Sequence, residues 1–465
     1  MKVDSRFAWW RRFSLAAWSP VQWRAGSWVY QKVGMLQPWR AGSELFAYAE
    51  AIGAGLLAVS LLLGPFVSSS LIGISLLGGL GFWGLLTLAE TELAIATPIH
   101  VLAFLYWLVA SIALALSPVR GAAFSGWVEL TLYLGIFVLA ARVLRSRPIT
   151  DFLVSVLLLV SIAVSTYGVR QQFFGARQLA TWNDPTSVLA QDTRVYSFLD
   201  NPNLLAGYLM FGVAFSLAAI LVWRRLLPRM LAVLMFGCNT ACLYFTDSRG
   251  GWLGLLAIFG VFLLLLRYWW HRYLPHFWQK WLIPLALGLL AAGIVGAIVV
   301  LEPIRLRVMS MFAGREDSSN NFRINVWIAV IKMIRDRPLL GIGPGNDAFN
   351  VVYPLYMQPR YTALSAYSIY LEILVELGFL GLGIFLWLVS VTVGGSIWAL
   401  KKLRTADDLH GFWVMAALAA IAGTLVQGFF DTVWYRPQIN TLWWFAFGLL
   451  ASRWPLISET ETLKS

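Results

Sequence analysis

Charge is scarce in this chain. Asp, Glu, Lys and Arg together make up 12% of 465 residues, whereas 59% are hydrophobic. A water-soluble fold has too little interior to hide that much apolar surface. Histidine is scarcer still: His100, His271, His276 and His410 are the only four, so chemistry needing an imidazole near neutral pH has few places to occur. The two cysteines, Cys238 and Cys242, lie four apart in one apolar run. That spacing shares a helix face but makes neither a disulfide framework nor a metal-ligand pattern, and it reads as small apolar packing. No cofactor and no metal site are expected. The glycines of GIGPGN, Gly341, Gly343 and Gly345, follow no strand and lack the full G-x-G-x-x-G, which argues against dinucleotide binding. Their amides can form a small anion nest, although an ordinary turn after Pro338 is the commoner outcome.

Long apolar runs are what the chain has. Windows of about 20 apolar residues, enough to cross a hydrocarbon core as a helix, centre near Leu57, Leu77, Leu108, Leu134, Leu158, Phe215, Met235, Ile258, Leu290, Trp387, Leu418 and Ala446. Helices satisfy their backbone groups internally in lipid. The expected fold is therefore an all-α integral membrane protein of about twelve transmembrane helices. No inverted repeat or paired broken helix is visible.

Basic clusters orient it. The tail carries Lys2, Arg6, Arg11, Arg12, Arg24, Lys32 and Arg40, and alternation then puts Arg142–Arg147, Arg224–Arg229, Arg267–Lys280 and Lys401–Arg404 on the same, cytoplasmic side. Only the connection at Glu90 and Glu92 lacks basic residues. The net charge of +12 is then a matter of topology and contact with membrane lipids, and nucleic acid is not an expected partner. The Trp-rich start, MKVDSRFAWWRRFSLAAW, reads as a helix on the inner membrane surface rather than a signal peptide. The chain divides into a basic tail (1–44), spans one to nine (45–301, with an outer connection at 171–203), a large outer loop (302–367), and spans ten to twelve with a short tail (368–465). Both termini are expected on the cytoplasmic side.

The outer segments are rich in arginine: Arg170, Arg177, Arg194, Arg249, Arg305, Arg307, Arg315, Arg323, Arg335, Arg337, Arg360 and Arg436. Guanidinium is a planar, always-charged donor suited to phosphate and carboxylate-like oxyanions. An outward-facing anion pocket is one expectation, and solvated loop charge is the competing one for any single arginine. Arg249, in TDSRGGWLG, has almost no loop around it, so it must lie at the membrane edge, where an ionisable group is a functional candidate. Asp247, Asp431 and Glu129 are its candidate partners. In the outer loop, Ile324, Trp327, Ile328 and Ile331 recur at helical spacing and predict a surface helix that Pro338 ends. Trp434, Trp443 and Trp444 read as interfacial anchors.

LSAYSIYLEILVELG, residues 364–378, crowds hydroxyls from Ser365, Tyr367, Ser368 and Tyr370 and carboxylates from Glu372 and Glu376 at the mouth of an apolar run. Glu372 and Glu376 share a helix face and can serve either as a catalytic base or as a structural salt bridge to Arg249 or Arg323. Tyrosine is a poor base at neutral pH.

TDSRGGWLG, RVYSFLDNPNLLAGYL, the series from Arg323 through Trp327 to PLLGIGPGNDAF, and YLEILVELGFLGL together resemble the O-antigen ligase and polymerase-like membrane superfamily, from about Tyr167 to the last span. Within it, LATWNDPTS, TRVYSFLDNPNLLAGYL and DTVWYRPQINTLWW are most similar to the cyanobacterial inorganic carbon transporter B family. That resemblance implies a role in bicarbonate accumulation, while the wider superfamily moves glycans from lipid-diphosphate carriers. In the ligases a His-Asn-x-Tyr-Leu pattern precedes the tenth span, and its histidine is the proposed base. Here Tyr367 stands in the histidine's place and Ser368 in the asparagine's. The resemblance makes Arg194, Asn203, Arg249, Arg323, Ser368 and Asp431 candidates for binding a small oxyanion such as bicarbonate or a lipid-linked diphosphate glycan. Bicarbonate accumulation ranks slightly ahead of glycan transfer on sequence grounds, and a non-catalytic assembly or regulatory subunit is a third reading.

Overall fold

The computed structural model describes residues 10, 13–15, 43–67, 69–89, 96–177 and 194–454. Expectations for most of the basic tail, for Glu90 and Glu92, for 178–193 and for the last residues fall outside them. Among the described residues there is no strand. The chain runs through α1 (Ala49–Leu63), α2 (Ser69–Ala89), α3 (Pro98–Ala115), α4 (Arg120–Val143), α5 (Arg147–Phe174), α6 (Pro202–Val222), α7 (Leu226–Phe245), α8 (Arg249–Trp270) and α9 (His276–Val300). Three shorter helices follow, α10 (Glu302–Phe312), α11 (Ser318–Asp336) and α12 (Asn346–Val352), before α13 (Ile369–Thr405), α14 (Gly411–Gln427) and α15 (Pro437–Ser452). Each of the twelve expected centres lies inside a helix. Among the described residues, nine helices are long and apolar enough to cross a membrane. The other three, α1, α14 and α15, have 15, 17 and 16 residues.

Burial sorts these helices. α6, α14 and α15 are buried on nearly every face, with α14 against α8 and α15 against α4. Trp443 and Trp444 are each only 1% exposed, so they are core side chains and not interfacial anchors. Their helix is short and enclosed by neighbours, leaving its aromatics no interface to reach. At the other extreme, α9 buries no residue and leans on α8 and α10. Trp10 and Phe13 of the tail pack on α13, where the Trp387 indole donates to the Phe13 carbonyl at 2.9 Å. Both cysteines are free, and Cys242 is buried.

The tenth span is not continuous. Gly378 breaks α13 with φ 65°, and the segment after α11 fills the break with backbone hydrogen bonds. Phe379 N donates to the Pro338 carbonyl at 2.8 Å, while Ile342 N and Gly343 N donate to the Val375 and Glu376 carbonyls at 2.9 and 3.0 Å. Two of the GIGPGN amides, those of Ile342 and Gly343, thus brace the broken helix, and the Gly345 amide bonds the Glu376 carboxylate. Only glycine fits at Gly378, because a Cβ there would collide with the Leu339 carbonyl. Across the loop, Gly345 lies against Gly126 of α4, and Ser117 donates to the Ile342 carbonyl at 2.5 Å.

α11 forms where the apolar spacing predicts it, but with a different face inward. Val326, Ala329, Val330 and Met333 are buried, while Ile331 is exposed and Ile324, Trp327 and Ile328 are half-buried. The inward stripe packs with α12 and the first turns of α13 in a second core. Ile324 and Trp327 are left to line the cavity described next.

Candidate functional site

Three helices begin at one end of the bundle with a polar side chain capping free amides. Asn201 accepts from Asn203 N and Leu204 N at the start of α6, Ser248 from Gly251 N at α8, and Asp317 from Asn320 N at α11. Each cap fixes an arginine or its partner beside it. The result is a cavity of about 430 Å³ with four guanidinium groups on its wall, from Arg194, Arg249, Arg307 and Arg323.

The four are held differently. Arg249 donates through Nη1 to the Ser310 carbonyl at 3.0 Å and through Nη2 to Asp317 at 2.9 Å. Its partner is therefore Asp317, and not the expected Asp247, Asp431 or Glu129: the outer loop folds back over α8 and brings Asp317 closest. Asp247 instead pairs with Arg307, Nε to Oδ1 at 3.0 Å. Arg194 donates to the Thr246 carbonyl at 3.1 Å and to Asn203 Oδ1 at 3.1 Å. Arg323 donates to Ser319 Oγ at 2.7 Å, and its buried Nε has no hydrogen-bond partner among the described residues. Among the described residues, neither Arg194 nor Arg323 has a carboxylate in ion-pair contact.

Asp431 is the one carboxylate on the cavity wall among the described residues. It accepts hydrogen bonds from the Asn203 side chain and the Thr432 amide. Burial raises its pKa above the usual carboxylate value, with Arg323 the strongest opposing influence. Burial, reinforced by Arg307, pushes the Arg194 guanidinium down to about 10, still protonated at neutral pH. Burial also lowers Arg307 and Arg323. Counting charges, two guanidiniums are matched by Asp317 and Asp247, and the remaining two face Asp431 alone, an excess of one positive charge. The rest of the wall includes Leu253, Met311, Phe312, Ile324, Trp327 and Phe430. A charged floor with an apolar wall suits an amphiphilic anion.

Five residues singled out from the sequence, Arg194, Asn203, Arg249, Arg323 and Asp431, thus meet at one cavity. Arg307 completes it and went unassigned, its only sequence signal being one more outer arginine. Tyr367 and Ser368 do not line it. Tyr367 adopts φ 51° and sets its ring edge-on to Phe322 at 5.5 Å. Burial raises its phenol far above the ordinary value, Asp431 and Tyr435 add to the rise, and Arg323 only partly opposes it. Tyr367 is therefore protonated at neutral pH and cannot act as a base. Ser368 stands at the N-cap position of α13 without a side-chain capping bond, and its amide donates to Thr432 Oγ1 at 2.9 Å.

Glu372 and Glu376 make no salt bridge to Arg249 or Arg323, contrary to the structural alternative. The first turn of α13 aims them away from the arginines, into a smaller cavity of about 90 Å³ that Glu129 also lines. One Glu372 oxygen accepts from the Ala366 amide at 2.5 Å and from Thr432 Oγ1 at 3.4 Å, and the other has no partner among the described residues. All four histidines lie at the opposite end of the helices: His100 opens α3 and stacks on Phe137, His271 and His276 flank the α8–α9 turn, and His410 faces Asp151.

Comparison with known proteins adds one finding. Residues 234–386 match the family model described as O-antigen ligase. That stretch runs from α7 through the break in α13 and includes Arg249, Arg307 and Arg323, but not Arg194, Asn203 or Asp431. No curated protein matches the chain. Residues 234–386 are thus similar to the O-antigen ligase family, within an all-α, multi-pass membrane protein.

Proposed function

We propose that the arginine cavity binds the diphosphate of a lipid-linked glycan and that the protein transfers the glycan to an acceptor hydroxyl on the outer face of the membrane. The observation that carries this reading is the cavity itself, four guanidiniums and an apolar wall around about 430 Å³. Bicarbonate has four heavy atoms and fills roughly the space of two waters, about 60 Å³ at 30 Å³ each. The cavity is several times too large for it, whereas a diphosphate with the first sugar and isoprene units matches both its size and its mixed lining. The order set by the sequence is accordingly reversed. The basic end of the helices, with Arg145, Arg147, Arg224, Arg225 and Arg404, is taken as cytoplasmic by the positive-inside rule, which makes the arginine cavity outward-facing.

The chemistry uses residues on the cavity wall. The acceptor oxygen attacks the anomeric carbon, the bond from that carbon to the phosphate oxygen breaks, and the electron pair leaves with the lipid diphosphate. Arg194 and Arg323, free of competing ion pairs, take the charge that develops on the leaving group. Asp431, held by Asn203, takes the acceptor proton in its ionised form. The histidine of the related ligases is thereby not required.

Bicarbonate accumulation is the second reading, favoured by the residues resembling the carbon transporter family and by Tyr367 where the ligases have histidine. One experiment separates the two. Purified protein in vesicles is given a polyprenyl-diphosphate-linked sugar and an acceptor glycan, and in parallel labelled bicarbonate under sodium and proton gradients. Transfer that falls about 10²–10³-fold in Arg323→Ala supports the first reading. Gradient-driven bicarbonate uptake without transfer overturns it.

A further inference from the structure

The smaller cavity has a character of its own. Glu129, Glu372 and Glu376 all line it, and no arginine, lysine or histidine does among the described residues. Glu372 is 5% and Asn440 9% exposed, and each presents a side-chain oxygen, Oε1 and Oδ1 respectively, that has no hydrogen-bond partner among the described residues. Asn346 Oδ1, on the same wall, is a third such acceptor. Unmatched buried acceptors are rare and call for a donor or a cation. The break at Gly378 ends the helical segment from Ile369 at Leu377, on the cavity wall, where the Ile342 and Gly343 amides take its last carbonyls and a cation is left to the side-chain oxygens.

We propose that this cavity is a binding site for a monovalent cation of about the size of sodium, with Glu372 Oε1 and Asn440 Oδ1 as its ligands and Glu376 and Glu129 supplying the field. The ligands are all hard oxygens, which suit alkali and alkaline-earth ions rather than transition metals. Among the described residues, no three His, Cys, Asp or Glu side chains converge closely enough to hold a metal ion on their own, and an ion of single charge needs fewer carboxylates than a divalent one. A volume of about 90 Å³ admits an ion with one or two waters. The site is distinct from the arginine cavity, and the proposal does not depend on which anion that cavity takes.

The test uses the full-length protein in detergent or nanodiscs at constant ionic strength. Thermal midpoint and intrinsic fluorescence, which includes Trp434 and Trp444 on the cavity wall, are followed as choline chloride is replaced by sodium chloride. The expected result is a saturable rise of several degrees in the midpoint, lost in Glu372→Gln and kept in Arg323→Ala. Should Glu372→Gln not fold, Asn440→Ala carries the same test. Identical curves in sodium and choline, or a sodium response that survives both substitutions, overturn the proposal. So does a midpoint that moves with pH but not with the identity of the cation, which assigns the site to protons.

Discussion

Asp431 and its neighbour Thr432 face different spaces: Asp431 lines the arginine cavity, and Thr432 lines the acidic one. One strand of backbone is therefore the partition between four guanidiniums and three carboxylates. Asn203 steadies it from one side through Asp431, and Glu372 from the other through Thr432 Oγ1 at 3.4 Å.

The first prediction concerns pH. Asp431 has a raised pKa, chiefly through burial, so it becomes neutral on acidification sooner than an exposed aspartate. Ionised, it leaves one excess positive charge in the cavity; protonated, it leaves two. Affinity for inorganic pyrophosphate, read from fluorescence, should rise relative to that of Asp431→Asn as pH falls through that pKa, the ligand's own titration being common to both proteins. The sign for stability follows from the same shift: the contribution is present below the ordinary carboxylate pKa and is lost as pH rises through the raised one.

Arg249 joins the start of α8 to α10 and α11 through two separate donors. Its pair with Asp317 is 12% and 17% exposed, so breaking it should cost about 1–3 kcal/mol, below the figure for a fully buried pair. A thermal-denaturation cycle of Arg249→Ala, Asp317→Ala and the double variant should give a coupling of about 0.5–3 kcal/mol. A coupling near zero would show that the Ser310 contacts alone hold the arginine. Arg249→Lys should not restore stability, because an ammonium lacks the fork.

Gly378→Ala should destabilise the protein by at least about 1–3 kcal/mol, from the strained backbone plus the collision with Leu339. Gly383→Ala is the control: it lies five residues on in the same helix with open space around it, and alanine there should be neutral or slightly stabilising. Equal midpoints for the two variants would refute the account of the break.

Tyr367→Phe removes the hydroxyl that stands in the place of the ligase histidine. Because Tyr367 is held protonated and lies off the cavity wall, glycan transfer should survive within a few-fold, while Asp431→Asn should abolish it. A loss of 100-fold or more in Tyr367→Phe would return the proton-accepting role to the tyrosine.

Helix positions were legible because apolar runs of membrane length leave few alternatives, and the charges at their ends marked the edges. Arg249 could be found from TDSRGGWLG for the same reason: a charge with almost no loop around it has to sit at the boundary. The break at Gly378 could not, since YLEILVELGFLGL reads as unbroken apolar helix and only the docking of Pro338–Gly343 reveals why a glycine stands there. Trp443 and Trp444 misled because aromatic residues at the end of an apolar run usually meet headgroups, and only the neighbouring helices place them inside. The face of α11 was misjudged likewise: Ile324 and Trp327 are apolar for the cavity, not for the core.

Among the described residues nothing buries α9, so lipid is the expected medium around most of its surface. At 25 residues it is about 37 Å long, longer than the roughly 30 Å of hydrocarbon it would cross, and tilting is the usual response to that excess. Its end leads through Leu301 directly into α10, which carries Arg307 to the cavity. Membrane thickness is thus expected to act on the position of a cavity arginine through the α9–α10 junction at Leu301. Bilayers made from shorter-chain lipids should shift anion affinity in the intact protein, and Arg307→Ala should remove that dependence.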